Sequence, residues 1–147
     1  MALVDLPESM RRALADSYAF SIKAQNYHWN VTGPHFAEYH AFFGGIYEEV
    51  SDGIDVIAEA LRTLDQFAPA SFKRFKELSM IEDELAIPDG LVMISRLMND
   101  NQRVLKSLTE AYETAEKQKK YGISNILQDR ITAHEKHGWM LRSFVKA

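Results

Sequence analysis

The sequence predicts an all-α protein: a four-helix bundle with a short helix in a long crossover between helices two and three. Three observations carry this prediction. Helix-forming residues dominate the 147 positions, and only 4 prolines interrupt them. Apolar residues at Tyr39, Phe43, Ile46, Val50, Ile54, Ile57, Leu61 and Leu64 step by three and four, the mark of an amphipathic helix. Breaker residues then divide the chain into two long helical runs, a long connection, and two more.

The first helix starts at Asp5-Leu6-Pro7-Glu8, with an Asp cap, an early Pro and a Glu three after the cap. Met10, Leu14, Tyr18, Ile22 and Trp29 lie near one stripe, and Thr32-Gly33-Pro34 ends the helix near Val31. The second helix begins near His35 and contains Gly44-Gly45, each glycine costing about 1 kcal/mol in a helix interior. Such a pair calls for a reason: close approach of another element, a kink or a lost ligand. Pro69 breaks this helix, and Ala70 to Leu78 reads as the short one. Glu82-Asp83-Glu84 reads as a solvated acidic loop ending at Pro88. Asp89 caps the third helix, with Val92, Leu97, Met98, Val104, Leu105, Leu108 and Tyr112 facing inward, and this helix fades at Lys117 to Lys120 and stops at Gly122. Ser124 caps the fourth, which runs to about Val145.

Composition excludes several function classes. Apolar residues make up 46% and charged ones 26%, which assigns one ordinary globular domain spanning 1–147. The net charge of −4 exerts no global pull toward nucleic acid or anionic lipid. Absence of cysteine excludes disulfides, thiolate zinc sites and cysteine catalysis, and makes a reducing compartment the default. Neither a long apolar span nor a signal-peptide core is visible, so the expected location is the cytoplasm.

The chemistry is concentrated in His28, His40, Asp55 and Glu59. A mixed imidazole and carboxylate set suits iron or zinc, and open positions suit redox iron. On one continuous helix, His40 and Asp55 lie roughly 22 Å apart. A single ion with ligand bonds of about 2 Å cannot bridge that span. Either these residues are unrelated, or the site forms between two chains.

The segment Tyr27-His28-Trp29-Asn30-Val31-Thr32-Gly33-Pro34-His35-Phe36 resembles the signature of the Dps mini-ferritins. The resemblance continues through His40, Tyr47 to Val50, Asp55 to Glu59, Leu78-Ser79 and His134 to Leu141. It implies a ferritin-like bundle assembled as a hollow dodecamer. Ferrous iron would be oxidised at sites shared by two chains, commonly by hydrogen peroxide, and stored as ferric mineral. His28 and His40 then match ligands from one chain, and Asp55 and Glu59 match acidic ligands from its partner. Trp29 matches an aromatic neighbour of the site, an electron donor or radical trap. One position departs: Gly44 stands where the family usually carries an aspartate. That loss is expected to weaken iron binding and to open the site to zinc, and Gly44→Asp to restore affinity if the vacancy is limiting.

The bland alternatives are ordinary helix histidines, a solvated carboxylate pair and an interface tryptophan. His134 and His137, one turn apart, read as surface or interface residues before they read as a metal site. Asp129 is a candidate pore residue, with Asn125 where relatives carry an acid. Lys73, Arg74 and Lys76, and Lys117, Lys119 and Lys120, read as solvated faces. Family members that coat DNA often use lysine-rich tails, whereas here no lysine precedes Lys23, so strong DNA binding is not expected. The alternative function is a Dps-like cage with little ferroxidase activity, acting as a zinc-binding or structural shell or a DNA-compacting particle.

Overall fold

The structure is a computed structural model that describes residues 4–146; the outermost positions of the expected 1–147 domain lie outside the described residues. It contains α1 (Leu6–Asn30), α2 (Phe36–Thr63), α3 (Phe72–Leu78), α4 (Gly90–Lys117) and α5 (Tyr121–Val145), with no strand among the described residues. α1 packs against α2 and α4, α4 packs against α5, and α2 meets α5 along a shorter seam. Gly90, at the start of α4, lies against the Tyr39 ring in the first turn of α2. The crossover therefore returns from the far end of α2, and α2 and α4 begin at the same end of the bundle. No helix among the described residues is long and apolar enough to cross a membrane.

The Asp5 carboxylate accepts from the Glu8 amide at 2.9 Å, as the capping pattern predicts. Within α1 the buried face is Met10, Ala13, Ser17, Phe20, Ala24 and Tyr27, whose steps alternate between three and four. The predicted stripe at Met10, Leu14, Tyr18 and Ile22 advances by four throughout. Each such step drifts about 40° around the helix. Ile22 and Trp29 consequently emerge exposed, and Val92 of α4 does the same.

Two helix ends differ from expectation. α4 ends through Lys119, a left-handed residue at φ 57°, with the Lys120 amide reaching back to the Ala115 carbonyl at 2.9 Å. This closure lets α5 begin at Tyr121, so Gly122 lies in its first turn and Ser124 is buried within the helix rather than capping it. α2 ends the same way through Asp65, at φ 59°. Asp89 precedes α4, but its side chain makes no capping bond.

The crossover is pinned by two carboxylates. Asp16 of α1, fully buried, accepts from the Ser79 hydroxyl and the Met80 amide at 2.8 Å each, and from the Ser107 hydroxyl. Glu84 is not the solvated loop residue expected: it accepts from the buried Tyr27 hydroxyl at 2.7 Å and pairs with Arg96. Burial pushes the Glu84 carboxyl up, but the bonds from Tyr27 and Arg96 outweigh it and hold the group below the usual range.

Candidate metal centre

The turn between α1 and α2 brings two of the candidate ligands together. Gly33 and His35 both take positive φ, at 95° and 65°, and reverse the chain. This sets the last turn of α1 beside the first turns of α2. There His28 and His40 clasp each other: each Nδ1 donates to the other residue's backbone carbonyl at 2.6 Å. A carbonyl only accepts, so both rings carry a proton on Nδ1, and the neutral form of each has its lone pair on Nε2. The rings stack with centroids 3.9 Å apart and planes 17° apart, and Phe36 stacks on the outer side of His40. Each ring thus keeps one nitrogen, Nε2, that a metal ion at about 2.1 Å could use.

Gly44 is part of this geometry. A Cβ there would fall 2.8 Å from both Cε1 and Nδ1 of His28, while the same addition at Gly45 meets nothing within 4 Å. Trp29, beside His28 in sequence, is 66% exposed.

Asp55 and Glu59 are exposed on α2, which runs unbroken from His40 past both. They stand roughly 22 Å and more from the histidine pair. Among the described residues no three His, Asp or Glu side chains of one chain gather closely enough to hold a metal ion. Glu48 and Asp52 extend the acidic pair along the same face, both exposed and, among the described residues, in no ion pair. The 4-3-4 spacing of these four acids was legible in the sequence, although only its last two members were singled out.

His134 and His137 are buried in one chain, contrary to their expected surface or interface placement. Arg130 of α5 forks onto Glu49 of α2, with Nη2 to Oε1 at 3.0 Å and a second bond from Nη1 to Oε2. His137 Nε2 bonds Glu49 Oε1 at 2.7 Å. His134 Nδ1 donates to Asn101 Oδ1 at 2.8 Å, and its Nε2 accepts from Arg130 at 3.4 Å. Both His134 nitrogens are therefore engaged and the ring is neutral. Burial first, and then the charge on its neighbours, holds its pKa well below the usual 6.5. Burial pushes Glu49 up, yet the bonds from His137 and Arg130 prevail and hold it far below the normal carboxylate range.

These shifts predict acid lability. For His134 the folded pKa is depressed, so the unfolded chain takes up a proton first as pH falls. Its stabilising effect is full above about pH 6.5 and is lost below it. The Glu49 effect is full above about pH 4.5 and is lost as pH falls toward its depressed folded value. Thermal midpoints are expected to fall from pH 7 to pH 5. His134→Gln should flatten that decline, and an unchanged slope in the variant would overturn the assignment.

The family model described as a ferritin-like domain matches residues 8–147. The DNA protection during starvation protein 2 of Bacillus anthracis is 31% identical over 138 residues, covering 94% of each chain. The crystal structure of a Dps protein from Vibrio cholerae O1, described as a member of a broad superfamily of ferritin-like diiron-carboxylate proteins, superposes with a TM-score of 0.92 at 29% identity, covering 96% of this chain and 89% of that one. Antigen TpF1 of Treponema pallidum gives 0.93 at 28%, covering 97% and 92%. The chain thus belongs to the ferritin-like family and, within it, to the Dps proteins.

Proposed function

We propose that this chain is a mini-ferritin that oxidises ferrous iron and stores the ferric product inside a homo-oligomeric cage, a dodecamer working in the cytoplasm. The whole of 1–147 acts as one ferritin-like domain. His28 and His40 of one copy face Asp55 and Glu59 of a second, and iron is the substrate of this shared site. The observation that carries the reading is the histidine clasp, with two imidazoles locked in the tautomer that frees Nε2. The unpaired acids that would complete the donor set stand too far along α2 to serve the same chain's histidines.

Two imidazole nitrogens with four acids in reach of a second copy suit two ferrous ions. Each gives one electron to hydrogen peroxide, whose O–O bond breaks as two protons are taken up and two waters form. Oxygen is the alternative acceptor. Paired donation avoids release of a hydroxyl radical. Trp29, beside His28 in sequence, is an aromatic neighbour able to supply one of these two electrons when only one ferrous ion is bound.

Gly44 favours a second reading, a cage with weak ferroxidase activity and zinc at the histidines, since one carboxylate is missing and imidazole suits zinc. Strong DNA binding has less support, because Arg74 and Lys76 of α3 are paired with Glu77 and Asp83. The test is anaerobic ferrous loading of the metal-free assembly followed by peroxide. Rapid ferric absorbance with soluble, retained iron is expected. Oxidation no faster than a protein-free control would favour the second reading.

A further inference from the structure

We propose that Gly44 is a positioning residue for His28: its missing side chain is the seat that holds the imidazole against α2. This deepens the reading of His28 as a metal ligand and rests on it. Gly44 and Gly45 are adjacent on α2, yet their surroundings differ. Beyond Gly45 there is open space, whereas a Cβ on Gly44 would lie 2.8 Å from two atoms of the His28 ring. With the ring where it stands in this chain, a side chain at position 44 therefore requires it to shift. The ring is not free to shift without consequence, because its Nδ1 bonds the His40 carbonyl at 2.6 Å and its face stacks on the His40 ring. Displacement breaks the bond that fixes the tautomer and aim of Nε2. Partners of this kind are worth about 10–100-fold in metal affinity.

This reverses the expectation for Gly44→Asp. The new carboxylate would arrive at the cost of the imidazole's seat. The histidine half of the site instead presents neutral nitrogen alone, which directs it toward cobalt and zinc rather than toward manganese or calcium.

The experiment uses the purified, assembled, metal-free protein and three variants: Gly44→Ala, Gly44→Asp and Gly45→Ala. Each is titrated with cobalt(II), read by its visible spectrum, and each metal-free crystal structure is determined. Gly45→Ala is expected to bind cobalt like the parent and to melt a few degrees higher, since alanine favours helix. Gly44→Ala is expected to lose at least ~10-fold in affinity. Its His28 ring should have left the His40 carbonyl, and Gly44→Asp should bind no better than the parent. Parental affinity with the ring in place in Gly44→Ala, or tighter binding by Gly44→Asp, would overturn the proposal. If the parent itself binds no cobalt, the ligand reading falls, while the ring position in Gly44→Ala still decides whether Gly44 is the seat.

Discussion

His40→Ala and Glu59→Ala are each expected to lower ferrous affinity at least ~100-fold and to abolish the fast peroxide phase, with assembly intact. Loss of a partner behind a ligand already costs about 10–100-fold, and loss of the ligand itself exceeds that. His40 is half-buried and Glu59 exposed, so neither truncation empties the core. His40→Ala has a second effect, since it removes the donor to the His28 carbonyl and the ring on which His28 stacks. Mixing the two variants gives a sharper result. In a two-fold pair made of one His40→Ala chain and one Glu59→Ala chain, one site carries both defects and the other carries neither. Co-assembled variants should therefore recover ferroxidase activity that neither shows alone. A site built within one chain predicts no recovery, and that outcome would sink the shared-site reading.

Arg130→Ala is expected to cost about 2–3 kcal/mol, less than a fully buried ion pair because Glu49 keeps 38% of its side chain exposed. That corresponds to a melting midpoint lower by roughly 4–12 °C. The variant leaves Glu49 with His137 alone and strips the donor from His134 Nε2. Gly53→Ala tests the same contact from the other side. In an ordinary helix interior it would stabilise by about 1 kcal/mol. Here its Cβ would lie 2.2 Å from the Arg130 guanidinium carbon, so the sign should reverse. A stabilised Gly53→Ala would show that Arg130 moves aside without loss.

The long helices were readable because their apolar spacing is local. The run from Tyr39 to Leu64 falls within three residues of the observed α2 boundaries at both ends. The direction of a stripe was less secure. Residues four apart in α1 look collinear in the sequence, whereas the buried face takes alternating steps, which leaves Ile22 of that stripe exposed. The fading of α4 at Lys117 to Lys120 is legible, but the left-handed closures at Asp65 and Lys119 are not, because such closures are expected at glycine and neither residue is one.

The same division holds at the site. His28, His40, Asp55 and Glu59 stand out by residue type and order, and the helix ruler separates them without any structure. The clasp was hidden because it uses backbone carbonyls, which every residue has. Burial of His134 and His137 was hidden for a different reason. Their partners Asn101 and Glu49 are 33 and 88 residues away in the chain, and nothing near either histidine announces the pairing.

The unbroken course of α2 between His40 and Asp55 makes the protein unequally tolerant of genetic change. Substitutions on its outer surface leave its register untouched. An insertion or deletion of one residue would turn everything beyond it by about 100° and shift it by about 1.5 Å. Asp55 and Glu59 would then face a different neighbour, and Gly53 would no longer meet Arg130. This stretch should accept new letters readily and new lengths almost never, whereas the crossover from residue 66 to residue 70 has no such frame to keep.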